Sequence, residues 1–225
     1  MKITFLGHAC FLIEHNGKTL VTDPFFFDSD AVKRLYPQAL TPDFVVATHG
    51  HDDHIGSIEL VMKEKTVFVG IVELASYVSE ITNSSTLLGM NIGGTVKLND
   101  DFSVTMVKAD HSSSIGARYL GEPTGLIIKV GEHTVYHFGD TGIFGDMKLI
   151  NELYKPDVGL IPIGGRFTMD VPTAAYAVNE FFDFKTCIPM HYDTFPPIKA
   201  DVNDFAKRVT RSKVAILKPF ESVDL

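Results

Sequence analysis

The sequence contains no tryptophan and only two cysteines, Cys10 and Cys187, among 225 residues. The two thiols lie far apart and outside any CxxC spacing, which excludes a disulfide-stapled scaffold and points to a reducing, cytoplasmic compartment. Basic residues are also scarce: 20 Lys and Arg face 28 Asp and Glu, for a formal charge of −8. That balance repels phosphate backbones and anionic lipid at long range, so neither nucleic acid nor a membrane surface is an expected partner. No run of 18 apolar residues occurs, and no membrane-spanning helix is expected. The stretch Ile3 to Ile13 behind Lys2 imitates a signal peptide, but Gly7-His8 interrupts it and no small-x-small cleavage site follows. With 45% hydrophobic residues, disorder and fibrous repeats are excluded, and residues 1–225 suit one domain, with two similar halves as the open alternative.

Periodicity supplies the element pattern. Asn16-Gly17 between Phe11-Leu12-Ile13 and Thr19-Leu20-Val21 is a hairpin turn signal. Phe44 to Thr48 reads as a short buried strand, Ile55 to Lys65 as a helix, Thr66 to Val69 as a strand and Val72 to Ile81 as a helix. Two more hairpins are expected around Asn99-Asp100-Asp101 and Gly131-Glu132. Helices then follow over Met147–Tyr154, Thr173–Phe182 behind Pro172, and Val202–Val209, with strands at Val158–Ile161, Thr186–Ile188 and Val214–Leu217. Hairpins followed by alternating helices and strands, occurring twice, predict an α/β fold of two mixed sheets packed face to face with helices outside, an αββα sandwich. The stretch Leu12 to Asp23 has an echo in Ile127 to Asp140, each a hairpin followed by a carboxylate.

The chemistry is concentrated in His49-Gly50-His51-Asp52-Asp53-His54, directly after the Phe44–Thr48 strand. At this chain's histidine and aspartate frequencies, HxHxDH arises by accident in about one such chain in a thousand. Neutral imidazole binds zinc-like ions and carboxylates can bridge two of them, so the loop suits a pair of metals. If the loop leaves its strand extended, His49 and His51 project to one side and grip one ion, while Asp53 and His54, past a bend, face a neighbouring one.

HxHxDH at a strand-to-helix junction resembles the metallo-β-lactamase superfamily, and nearly the whole chain follows the likeness. Asp110-His111, Gly139-Asp140-Thr141 and Pro189-Met190-His191 each follow a predicted strand, in the superfamily's order. The resemblance implies one ion on His49, His51 and His111, a second on Asp53, His54 and His191, and Asp140 bridging both. It implies catalytic duties for Asp53 and Asp140. Zinc is the leading metal, with manganese, iron and nickel open. Asp23, in Thr22-Asp23-Pro24, matches an early acidic position that orients a ligand, against a plain reading as a turn residue before proline. His8, in Gly7-His8-Ala9, either faces the site or simply fills the first turn. Together with Pro162-Ile163-Gly164-Gly165 and Pro189-Met190-His191-Tyr192, these segments look like the small metal-dependent hydrolase branch related to ascorbate-lactone hydrolases and, more remotely, to N-acyl-phosphatidylethanolamine phosphodiesterases. His15 and His133 are read as solvated residues beside turns, and His137 as packed within a strand.

A two-metal centre of this kind implies hydrolysis of a small ester, lactone or phosphodiester by an activated water, with no separate nucleophile, and no GxSxG elbow is present. His51 keeps the hydrolase form of the motif, where redox relatives carry glutamate. Arg166, after Gly164-Gly165, is the candidate for an anionic substrate group, and Tyr192 for an oxyanion. Two other classes stay open: a non-catalytic metal-binding or sensor protein, and an RNA-processing nuclease. Oligomeric state is not legible.

Overall fold

In the computed structural model, which describes residues 1–225, sixteen strands form two seven-stranded mixed sheets and one small hairpin. The first half of the chain supplies β1 (Lys2–Gly7), β2 (Cys10–His15), β3 (Lys18–Thr22), β4 (Phe44–Val46), β5 (Val67–Ile71) and β6 (Leu87–Met90). The second supplies β7 (Thr95–Lys97), β8 (Phe102–Lys108), the hairpin β9 (Ser114–Ile115) and β10 (Arg118–Tyr119), β11 (Thr124–Val130), β12 (His133–His137), β13 (Val158–Pro162), β14 (Thr186–Met190) and β15 (Lys213–Val214). The last strand, β16 (Ser222–Asp224), returns to pair with β1. The sheets run β16-β1-β2-β3-β4-β5-β6 and β15-β14-β13-β12-β11-β8-β7. In each, antiparallel neighbours give way to parallel ones, at β3–β4 and at β12–β13. The expected sandwich of two mixed sheets with helices is therefore the observed fold.

Strands β4 and β13 are buried along their whole length, as uniformly apolar runs must be when both faces are covered. A core of 60 buried residues fills the space. The helices are α1 (Ser29–Leu35), α2 (Asp52–Ile55), α3 (Ile58–Val61), α4 (Val72–Thr82), α5 (Met147–Tyr154), α6 (Val171–Phe181) and α7 (Val202–Arg208). Their ends obey local chemistry. Asp170 caps α6 by accepting from Thr173 N at 2.9 Å, with Pro172 in the first turn, and Asn83 closes α4 in the left-handed conformation.

The helix expected over Ile55–Lys65 is instead two single turns, α2 and α3. Ser57 leaves the helical path because its N–H donates to Pro24 O at 2.9 Å and its Oγ accepts from Phe26 N at 2.9 Å. The break docks the Pro24–Phe26 loop against the histidine-rich loop. Helix α1 and strand β16 carry no comparable sequence signal and were not anticipated.

The two sheets meet at Thr48, two residues past β4. Its carbonyl accepts from Thr124 N at 3.0 Å and from Thr124 Oγ1 at 2.8 Å, joining the first sheet to the start of β11. Gly139, just past β12, passes through the same seam at φ +62°, where a Cβ would lie 2.7 Å from Thr124 O and 3.0 Å from Thr48 Cβ. Only glycine fits there. The strands β1, β3 and β4 of one sheet and β8, β12 and β14 of the other thus end at one rim.

Deep in the second sheet, Tyr136 is fully buried and stacked on Phe138 with ring centroids 4.0 Å apart, yet its hydroxyl has no hydrogen-bond partner. Burial pushes the phenol's pKa far up, so the O–H stays neutral and unsatisfied. An unmade buried hydrogen bond costs about 1–3 kcal/mol. Tyr136→Phe is therefore expected to raise stability by about 1 kcal/mol, a rise of about 2–4 °C in melting temperature. A destabilised Phe variant in thermal denaturation would show that the hydroxyl is satisfied.

Candidate metal centre

The rim gathers nine side chains from both sheets. His8 sits in the turn between β1 and β2, and Asp23 just past β3. His49, His51, Asp53 and His54 come from the loop after β4 and the single turn α2, while His111, Asp140 and His191 follow β8, β12 and β14. All seven residues expected to hold metal are brought together. Their ligand atoms form three overlapping groups, each with atoms within 4.8 Å of one another: His49, His51 and His111; His8, Asp53, His54 and His191; and His49, His54 and Asp140. Asp140 lies between the first two, its Oδ1 3.2 Å from His54 Nε2 and its Oδ2 3.0 Å from His191 Nε2 and 3.5 Å from His111 Nε2.

Asp23 organises the buried side of this cluster. Its Oδ1 accepts from Thr48 N at 2.7 Å, and its Oδ2 accepts from Thr48 Oγ1 and from His54 Nδ1, each at 2.8 Å. With its proton given to Asp23, Thr48 Oγ1 accepts from His49 Nδ1 at 3.0 Å. One carboxylate thereby fixes the orientation of two rings, with Nδ1 of each turned to the Asp23–Thr48 pair and Nε2 of each turned toward the cluster. Thr48 was not singled out from the sequence, although a hydroxyl beside the first motif histidine is a signal that could have found it.

His8 lies at the other end. Its Nε2–H donates to Asp53 Oδ2 at 3.1 Å, so its Nδ1 accepts from Thr194 Oγ1 at 2.9 Å. Burial lowers its pKa to about 4, the bond to Asp53 only partly countering it, and the ring is neutral. Thr194 is a further residue that sequence reasoning missed, and no pattern marks it. Ser113 is a third: its Oγ accepts from Gly50 N at 3.1 Å and pins the middle of the motif.

Charge is crowded at the centre. Burial alone would lower the His54 pKa, but the Asp140 and Asp23 carboxylates outweigh it and hold the pKa well above that of free imidazole. Asp140 is the converse: burial raises its pKa, and His54 and His191 bring it well below the usual carboxylate range. His49 and His111 are held low by burial, against the pull of Asp140. The decisive feature is polar satisfaction. His54 Nε2, Asp140 Oδ1 and both ring nitrogens of His191 are buried with no hydrogen-bond partner, although His54 Nε2 and Asp140 Oδ1 are only 3.2 Å apart. Buried donors and acceptors are nearly always paired, and a cluster of orphans converging from two sheets fits a cation. The donor set, five imidazoles and two carboxylates with no thiolate, suits zinc-like ions and not a closed thiolate site.

The other candidate residues differ in their surroundings. Arg166 is exposed at φ +53°, with its guanidinium 5.4 Å from the Phe167 ring and no hydrogen bond or ion pair to the cluster. Its loop is tied to the centre by Met169 N, which donates to Thr141 O at 3.0 Å. Tyr192 is half-buried beside His191, and its hydroxyl bonds to none of the ligands. His137 is fully buried, donating from Nε2 to Ala9 O at 2.9 Å and accepting from Gly139 N at Nδ1, so it is packed and hydrogen-bonded. His15 and His133 are only partly exposed and lie near carboxylates, 3.9 Å from Asp101 and 3.1 Å from Asp157, a correction to their reading as freely solvated.

Comparison with known proteins extends the picture. The profile of the beta-lactamase superfamily domain matches residues 2–191. A UPF0173 metal-dependent hydrolase of Staphylococcus carnosus is 43% identical over 230 residues, covering 99% of this chain and 99% of that protein. A protein of the same name from Methanosarcina mazei is 43% identical over 233 residues, 100% of this chain and 99% of the relative. Among solved structures, Igni18, described as a novel metallo hydrolase from the hyperthermophilic archaeon Ignicoccus hospitalis, superposes with a TM-score of 0.85 at 37% identity, covering 99% of this chain and 97% of that one. Likeness of this depth, running from one end of the polypeptide to the other, makes the chain a member of the beta-lactamase superfamily and, within it, of the UPF0173 metal-dependent hydrolases.

Proposed function

We propose that the chain is a hydrolase working with two divalent metal ions, zinc foremost, on a small ester, lactone or phosphodiester. The observation that carries this reading is the crowding of buried ligand atoms on His54, Asp140 and His191, which lie 3.0–3.2 Å apart and make no well-formed hydrogen bond. His49, His51 and His111 would hold one cation, Asp53, His54 and His191 the other, and Asp140 both. Two such ions, when bound, would supply a water acidic enough to act as hydroxide near neutral pH and would polarise the oxygen of the scissile bond.

The chain's own residues do the rest. Asp140, anchored where the sheets meet, stands between the two imidazole groups and would be the one carboxylate able to reach both ions. Asp53, 32% exposed and held by His8, is the carboxylate that faces the open side. Tyr192, half-buried beside His191, is positioned to donate to a developing oxyanion, and burial keeps its phenol protonated. Arg166 on its exposed turn offers a guanidinium to an anionic substrate group. Attack forms a bond from the water oxygen to the acyl carbon or phosphorus, the bond to the leaving oxygen breaks, and that oxygen takes up a proton. A non-catalytic metal store fits less well, because structural zinc sites are closed four-ligand shells without a shared carboxylate. The charge of −8 favours a small substrate over nucleic acid. Because both sheets contribute ligands, we read residues 1–225 as one domain, and two buried free thiols favour a cytoplasmic address.

Elemental analysis of the purified chain is expected to give two divalent ions per polypeptide. In the same preparation, Asp140→Ala should lower kcat/KM on p-nitrophenyl acetate or bis(p-nitrophenyl) phosphate by about a thousandfold or more, with the circular dichroism unchanged. A single ion with undiminished turnover would refute the two-metal reading.

Asp23→Asn keeps the shape but loses the anion that orients His49 and His54, so metal affinity in a chelator competition should fall by about 10–100-fold. An unchanged affinity would strip Asp23 of its orienting role.

The raised His54 pKa gives a third test. In the metal-free chain His54 is protonated at neutral pH, so metal binding at Nε2 must expel that proton, and affinity must weaken as pH falls. Calorimetry in two buffers of different ionisation enthalpy should show net proton release at pH 7, with the His54 proton as one contribution. Buffer-independent heats would contradict the assignment.

A further inference from the structure

The imidazoles form a row, and its two ends differ in chemistry. Ring centroids step from His8 to His191 in 4.2 Å, from His191 to His54 in 5.6 Å, from His54 to His49 in 4.1 Å and from His49 to His111 in 5.2 Å. Beyond His8 the surroundings are aromatic. Phe25 and Phe195 each lie 5.5 Å from the His8 ring and 6.2 Å from each other, both half-buried, and Phe27 nearby in the same loop is 68% exposed. Both His8 nitrogens are already bonded, so the ring itself offers a substrate carbon and no free polar atom on the side of Phe25 and Phe195.

Beyond His111 the surroundings are polar. A cleft of about 410 Å³ opens there, walled by Ser112, Ser114, Tyr119 and Glu122 and overhung by the β9–β10 hairpin. Tyr119 donates to one oxygen of Glu122 at 2.8 Å, and the other oxygen has no protein partner. No lysine or arginine lines the cleft. An anionic group would meet the Glu122 charge without compensation, and an alkyl chain would strip water from hydroxyls without replacing their hydrogen bonds. Neutral hydroxyl groups satisfy both Glu122 and the serines.

We infer that the site selects substrates apolar at one end and neutral and hydroxyl-bearing at the other, the first lying against Phe25 and Phe195 and the second in the cleft beside His111. The inference rests on the hydrolase reading above and names its substrate class. A molecule spanning the row is cut between its two halves: water oxygen bonds to the acyl carbon, the ester C–O bond breaks, and the released hydroxyl compound carries away a proton.

Three esters separate the two ends in the zinc-loaded chain. Glycerol 1-octanoate is expected to exceed both glycerol 1-acetate and ethyl octanoate in kcat/KM by about tenfold, as shielding roughly two methylenes or satisfying one charged acceptor would give. Glu122→Ala should abolish the preference for glycerol over ethanol while keeping that for octanoyl over acetyl. Phe195→Ala should do the reverse, and Phe195→Leu should restore the octanoyl preference. Equal rates on all three esters, or either variant erasing both preferences together, would overturn the inference while leaving the hydrolase reading intact. Calorimetric binding of 1-O-octylglycerol, which has no ester to cut, gives an independent readout. If it binds and each Ala variant weakens it severalfold while no ester is turned over, the two-ended site stands and the hydrolase reading falls. If it does not bind and the esters are not discriminated, the two-ended site is rejected.

Discussion

Asp23 accepts three hydrogen bonds, from Thr48 N, Thr48 Oγ1 and His54 Nδ1, while wholly shielded from solvent. That arrangement determines which ring nitrogens of His49 and His54 are free to face the centre, and it does so from the first sheet alone. The second sheet then supplies Asp140, whose Oδ1 stands 3.2 Å from the Nε2 that Asp23 has left without a hydrogen. Two acceptors at that separation need a cation between them. A proton satisfies the requirement in the metal-free chain, which is why His54 is held charged; a divalent ion satisfies it with the other orphaned atoms as well. The electrostatics of the centre thus follow from one buried carboxylate and the tautomer it imposes.

Fold and site are coupled through Thr48. Its amide and hydroxyl serve Asp23, its carbonyl receives both donors of Thr124, and its side chain crowds Gly139. A shift of one sheet across the other would break the Thr48–Thr124 bonds and move Asp140 relative to His54 together. Buried hydrogen-bonded networks of this kind specify one arrangement, because a partly satisfied alternative is costly in a low-dielectric interior.

Much of this was legible in the chain itself. HxHxDH after a β-branched run located the centre, and the resemblance to the metallo-β-lactamase superfamily, laid over the predicted strand ends, located His111, Asp140 and His191, none of which carries a strong signal alone. The seam did not. Thr48, Thr124 and Gly139 meet only when two sheets pack, and nothing within a window of a dozen residues records that meeting. The same holds for Thr194, which reaches His8 across a sequence separation of 186 residues. The Ile55–Lys65 stretch departs from its helical spacing for a related reason: Ser57 finds partners in the Pro24–Phe26 loop, a tertiary preference that overrides the local one.

Backbone strain distinguishes the two halves of the centre. His8, Asp23 and His191 have φ of +57°, +41° and +55°, in the left-handed region that disfavours residues with a Cβ by about 1–2 kcal/mol each. Glycine would relieve the strain but could not supply an imidazole or a carboxylate, so the side chains are needed where the backbone resists them. The cross-link from His191 N to His8 O at 2.8 Å helps hold two of them in place. All three contact the Asp53–His54–His191 side, where His54 and His191 are nearly inaccessible. On the other side His49, His51 and His111 carry no such strain, and His111 is 14% exposed next to an open cleft. Rigidity is therefore concentrated around His54 and His191, while the exposed edges at Asp53 and at His111 leave the centre open to a substrate from either end.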